Sequence, residues 1–193
     1  MAGTTKGFLL VMMQPPPAFE EEFNAWYDSE HIPERLSVPG FLTGLRYVAV
    51  SGHPRYLAMY DLESYAVLQS PAYNKVGYGN ASPWTKRVTG RVKVMRYAGH
   101  QVVPGDRITK PSSRVQVLRF SGLKAGVATD LAQAVAAAQD GRAGFAMPRV
   151  LVHETGEHLV MTEMTAPIEP AIDVAALGAF AASLDLVNTY APY

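Results

Sequence analysis

The sequence has no cysteine, which excludes disulfides, a thiolate nucleophile and any zinc or iron–sulfur centre built on cysteine ligands. A chain of that kind suits a reducing cytosol. It also lacks net charge: 17 basic residues balance 17 acidic ones. No global field then draws it to nucleic acid or to an anionic membrane. The basic residues are scattered rather than striped, which argues further against nucleic acid. Long apolar runs are missing as well. Phe8 to Met13 is only six residues, too short for a signal core or a membrane span. The chain is therefore expected to be cytoplasmic, with neither nucleic acid nor membrane as partner. It has no nucleotide-binding loop, nucleophile elbow or zinc pattern, so no metal and no cofactor is expected.

What is present is a duplicated plan. With 193 residues, 48% of them apolar and 18% charged, the chain suits one large folded domain or two small ones. Residues 8–13 read as a strand covered on both faces. Residues 18–31 repeat at helical spacing, with Glu20, Glu21 and Glu22 in the first turn, where acids suit the helix dipole. Pro33 is expected to end this helix near His31. Alternation over 41–50 and 55–62 gives a hairpin across Ser51-Gly52-His53-Pro54. Residues 64–73 read as a second helix, 74–90 as an irregular stretch and 91–97 as a strand. After Pro104-Gly105-Asp106 and Lys110-Pro111-Ser112-Ser113, which have linker composition, the same order returns. It runs as a strand at 114–120, a helix at 124–139 ended by Asp140-Gly141, and a hairpin of 149–154 with 158–164. A helix at 172–184 and a strand at 186–190 complete it.

Strand, helix, strand, strand, helix, strand is the ferredoxin-like unit. The predicted class is α+β, with two βαββαβ units in residues 1–104 and 114–193 joined by a linker over 105–113. A sheet with helices on one face leaves its other face bare, and two bare faces can close into a barrel. One chain with two units can do this as a monomer; a homodimer is the other expected state.

The richest segment is Phe23-Asn24-Ala25-Trp26-Tyr27-Asp28-Ser29-Glu30-His31-Ile32-Pro33, followed by Val38-Pro39-Gly40-Phe41. Residues three and four apart share a helix face, so Phe23, Tyr27 and His31 fall in line, with Trp26 and Glu30 beside them. An imidazole and a phenol stand where leucine and valine are usual. These residues, with Arg46-Tyr47, the run Pro54 to Glu63 and Ser70-Pro71-Ala72-Tyr73, resemble the dimeric α/β-barrel superfamily. Its EthD-like branch is the nearest in pattern, over about residues 7 to 100. The superfamily includes cofactor-free oxygenases acting on polycyclic phenols, lactone isomerases, haem-degrading enzymes and haem peroxidases. The resemblance implies a ligand-sized cleft between helix and sheet in the N-terminal unit, with the C-terminal unit as scaffold.

His31 is the candidate catalytic residue, as a general acid or base; its alternative role is a C-terminal helix cap. Trp26 and Tyr27 are candidate ligand-binding aromatics, or simply the core face of the helix. Alternation puts Arg46 with Gly44 and Val48, and Tyr56 with Ala58 and Tyr60. Arg46, Tyr56 and Tyr60 are therefore candidate holders of a phenolate or carboxylate, with Arg96 a further one. His153 and His158 flank a hairpin turn and could face each other across it, a pairing too common to read as a metal site. The expected function is proton-transfer, isomerase or monooxygenase-like chemistry on a phenolic, quinonoid or lactone-like small molecule. The alternative is a non-catalytic ligand-binding or stress-associated protein. Haem binding is not required by the histidine spacing.

Overall fold

A computed structural model describes residues 5–139, 144–167 and 172–193. Eight antiparallel strands close into one barrel in the order β1-β3-β2-β8-β5-β7-β6-β4. The strands of the first half are β1 Gly7–Gln14, β2 Leu45–Ala49, β3 Tyr56–Leu62 and β4 Lys93–Val103. Those of the second half are β5 Arg114–Phe120, β6 Arg149–His153, β7 His158–Met164 and β8 Leu184–Pro192. Around the barrel the first half reads β4-β1-β3-β2 and the second β8-β5-β7-β6, which is the same order repeated. The seams are equivalent too: the second strand of each half pairs with the fourth of the other. Internal duplication is thus carried by topology.

The apolar run at the start of β1 is explained by this arrangement. Phe8, Leu10 and Met12 point into the barrel beside Leu57, Met59, Val117 and Met161. Leu9, Val11 and Met13 point outward into a layer shared with the helices of the first half. The corresponding layer of the second half holds Leu118, Phe120, Leu131 and Val135. The chain therefore has three apolar layers: the barrel interior and one helix–sheet layer on each side. At one seam the strands come close. A Cβ on Gly99 would sit 2.1 Å from the Val152 carbonyl oxygen, so only glycine fits there.

One end of the barrel is polar. Arg149 and Asp61 form an ion pair at 2.6 Å, both side chains fully buried. Arg149 also donates to Gln101 and Thr109, and Asp61 accepts from Thr43 and from the Thr109 amide. The pair joins β3 of the first half to β6 of the second across the interior.

The helices depart most from expectation. Helix α1 Glu20–Trp26 passes into a single π turn, Tyr27–His31, and on into α2 Ile32–Leu36. Pro33, expected to end the helix by restricting Ile32, also brings a ring that collides in a regular helix with the carbonyl four residues back. The wider turn, closed by the Ile32 amide on the Tyr27 carbonyl, makes room for it. Residues 64–73 divide into a 3-10 turn, Tyr65–Gln69, and α3 Pro71–Val76, because Ser70 is extended ahead of Pro71 and caps α3 through the Tyr73 amide. The stretch 74–90, expected to be irregular, contains α4 Pro83–Thr89, capped by Ser82. In the second half α5 is Ala128–Ala138, and its expected stop at Asp140-Gly141 lies outside the described residues. Residues 175–183 are 3-10 and break at Gly178, whose φ is 56°. Among the described residues, no helix is long and apolar enough to cross a membrane.

Candidate functional site

The helix–sheet layer of the first half is incompletely filled. It encloses a cavity of about 280 Å³ whose floor is Leu9, Val11 and Met13 of β1. One wall is the α1–π–α2 helix, through Trp26, Tyr27, His31 and Arg35; Tyr73 of α3 and Thr85 of α4 form another. Val94 and Arg96 of β4, both exposed, border its open side.

The π turn brings this wall together. Trp26 and Tyr27 are 2% and 1% exposed, and both pack against His31, at ring-centroid separations of 4.3 and 5.0 Å. Trp26 is fixed by a relay: its Nε1 donates to Thr85 Oγ1 at 2.9 Å, and Thr85 Oγ1 donates to Glu30 Oε1 at 2.9 Å. Ser82 Oγ donates to the same carboxylate oxygen at 2.5 Å. Glu30 thereby ties α4 to the π turn.

The helix-cap reading of His31 fails, since the helix continues to Leu36. Its Nδ1 is buried without a hydrogen-bond partner. Burial first, then the Arg35 and Arg46 guanidiniums, push the imidazole down to about 3. Desolvation and two nearby cations both disfavour the protonated ring. At neutral pH the ring is uncharged, able to accept a proton at one nitrogen but not to act as an imidazolium acid.

Arg35 was not among the expected residues. It is 6% exposed, its Nη1 donates to the Val76 carbonyl at 2.8 Å, and its guanidinium lies 5.4 Å from the centre of the Tyr73 ring. Among the described residues no carboxylate forms an ion pair with it. A guanidinium has five donors, and burying one without an anion is costly. The sequence held a signal for it: Phe23, Tyr27 and His31 step by four, and the next step is Arg35. Pro33 concealed that continuation.

Arg46, Tyr56 and Tyr60 share the outer face as alternation predicted, but they do not line this cavity. Arg46 is held by Asp28 and by Asn24 Oδ1, the latter at 2.5 Å, and is sandwiched between Tyr27 and Tyr193. Both of its Nη groups are taken up by protein side chains. Tyr56 is bonded to Glu20 and Asn24. Tyr60 is fully buried beside Phe41. Its hydroxyl lies near that of Tyr27, yet meets no partner at hydrogen-bonding geometry. Burial pushes Tyr27 up to about 12 and Tyr60 well above its ordinary value, so both are phenols rather than phenolates.

His153 and His158 do not face each other. His153 Nδ1 meets the Ala98 backbone, His158 Nδ1 meets the Gly156 carbonyl, and the strand register pairs His158 with Val152. Among the described residues no cluster of histidine and acidic side chains suits a metal ion. A second cavity, about 350 Å³, lies at the β2–β8 seam beside Arg46 and Tyr47.

No family model matches the sequence, and no curated protein is detectably similar to it. Solved structures are. An anthrone oxidase-like protein superposes with a TM-score of 0.67 at 13% identity, covering 100% of this chain and 92% of that one. A candidate monooxygenase from Lactobacillus acidophilus gives 0.56 at 9% identity, covering 98% and 93%. A heme-binding protein from Thermus thermophilus gives 0.54 at 11%, covering 97% and 91%. Strand order, paired seams and these likenesses agree: the chain has the dimeric α/β-barrel fold, with both ferredoxin-like units supplied by one polypeptide.

Proposed function

We propose that the chain is a cofactor-independent enzyme acting on a compact hydroxylated aromatic, with proton removal as its first step. The observation that carries this reading is the buried Arg35, with no carboxylate paired to it, beside an uncharged His31 at one cavity. A phenol or enol that loses its proton there leaves an anion next to a desolvated guanidinium, where the attraction is far stronger than in water. The anion also offsets the Arg35 and Arg46 repulsion, which adds to burial in holding the imidazole down, so His31 becomes a better base as the proton departs. Trp26, Tyr27 and Tyr73 offer ring surfaces to a planar ligand. The resulting electron-rich anion is the species that a monooxygenase-like reaction hands to dioxygen. The anthrone oxidase-like neighbour and the EthD-like pattern of residues 7 to 100 support the same reaction class.

The cavity is smaller than the roughly 300–1,000 Å³ typical for drug-sized ligands. It does not fit a haem, although one neighbour is a heme-binding protein, and no step is assigned to one.

A second reading has its own observation. A catalytic base is normally oriented by a partner on its other nitrogen, and His31 Nδ1 has none. Binding without turnover would suit that geometry. Oxygen uptake and product analysis with hydroxylated one- to three-ring aromatics separate the two. The enzyme reading expects turnover that falls at least 100-fold in His31→Leu. Tight binding with no turnover leaves the binding protein.

A further inference from the structure

The arginines elsewhere in the chain that hold carboxylates are Arg46, Arg55, Arg87, Arg119 and Arg149. The two that border the helix–sheet cavity, Arg35 and Arg96, hold none among the described residues. No aspartate or glutamate borders that cavity. Its lining thus carries two positive charges at neutral pH and no negative one. The two cations differ in depth: Arg35 is buried under α2, whereas Arg96 is exposed on the outer face of β4, at the register position of Val11. Between them lie the apolar floor of β1 and the faces of Trp26, Tyr27 and Tyr73.

Resting on the reading of this cavity as an aromatic-anion site, we infer that its ligand carries two anionic groups on one aromatic framework. One sits at Arg35 in the depth and the other at Arg96 at the mouth. A planar carboxylate or phenolate matches the guanidinium fork, and the ring between the two anions covers β1. The inner contact is desolvated and contributes more; the outer one is wet, weaker and sensitive to salt. A neutral aromatic leaves the buried guanidinium without an anion. An aliphatic diacid leaves the aromatic walls without a partner.

The test is calorimetric titration of the purified full chain at low salt. The probes are benzoate, the three benzenedicarboxylates, 2-hydroxybenzoate, adipate and neutral benzamide. At least one benzenedicarboxylate is expected to bind about fivefold more tightly than benzoate, with benzamide and adipate weaker than either. Arg96→Gln, an exposed substitution, is expected to remove the dicarboxylate's advantage and leave benzoate unchanged. Arg35→Gln is expected to weaken every anion at least tenfold, while Arg35→Lys retains part of the binding and controls for folding. Equal affinity for benzoate and all three dicarboxylates, unmoved by Arg96→Gln but dependent on Arg35, overturns the two-anion inference and leaves the single-anion site standing. No binding of any aromatic anion overturns both.

Discussion

Between sheet and helices, the first half packs Trp26, Tyr27 and His31 around a cavity, with Arg35 buried in its wall. The second half, in the same place, packs Leu131 and Val135 with Ala128, Ala132 and Ala138, all buried. The polar atoms differ as well. His31 Nδ1 and the Tyr60 hydroxyl lie buried without partners in the first layer. The second layer has buried polar groups at one end, where Gln139 Nε2 donates to Gln116 and Thr162 and Gln139 Oε1 lies without a partner. Two copies of one topology have diverged in what fills them. The second half also encloses a cavity, of about 260 Å³ beside Ala128, Val152 and His158, but no arginine borders it; the first sets a strongly depressed imidazole and a buried cation on one cavity, features that a fold keeps for binding or chemistry.

The contrast can be broken by substitution. Leu131→Ala, in the second layer, is expected to cost about 2–5 kcal/mol of stability and to leave aromatic-anion affinity unchanged. A parallel loss of affinity would mean that the halves do not divide these tasks. Glu30→Leu removes the acceptor shared by Ser82 and Thr85 in the first layer. It is expected to cost about 1–3 kcal/mol and, unlike the first, to weaken the ligand as α4 loosens from Trp26. Thermal melting and titration on the same samples separate the two patterns.

Acid sharpens the comparison further. His31 lies at about 3 in the folded chain against its ordinary value of 6.5. Between those values the unfolded chain binds a proton that the folded one does not. Stability should therefore fall as pH drops from about 6.5 toward 3. The imidazole's share is about 1–2 kcal/mol once its partial exposure is allowed for. His31→Leu should show a flatter profile across that window, measured by denaturant unfolding at each pH. At neutral pH the same substitution removes an unpartnered nitrogen, so its stability should stay within about 1 kcal/mol of the parent. A loss near 3 kcal/mol would identify His31 as a packing residue.

The repeated order of strands was legible in the sequence because alternation and turn residues act locally, as in Tyr56 to Leu62 and the Thr155-Gly156 turn. Closure of the barrel was foreseeable from two bare sheet faces. The pair that ties its end was not: Asp61 and Arg149 lie 88 positions apart, and nothing in either neighbourhood marks a partner. Helix α4 carried a legible cap in Ser82-Pro83, masked by the glycines around Tyr78. The cavity's chemistry was half visible. Trp26, Tyr27 and His31 stood out by spacing, while Arg35 lay beyond Pro33, where a helix ordinarily ends. Only a π turn, a tertiary accommodation, carries the same wall past that proline.

The central claim is that the first half alone holds an aromatic-anion site, anchored by Arg35. A crystal structure of the chain grown with a benzenedicarboxylate tests it most directly. Ring density over β1 with a carboxylate on Arg35 is the expected result. Density at the β2–β8 seam or in the layer of the second half, with the Arg35 cavity empty, would contradict it.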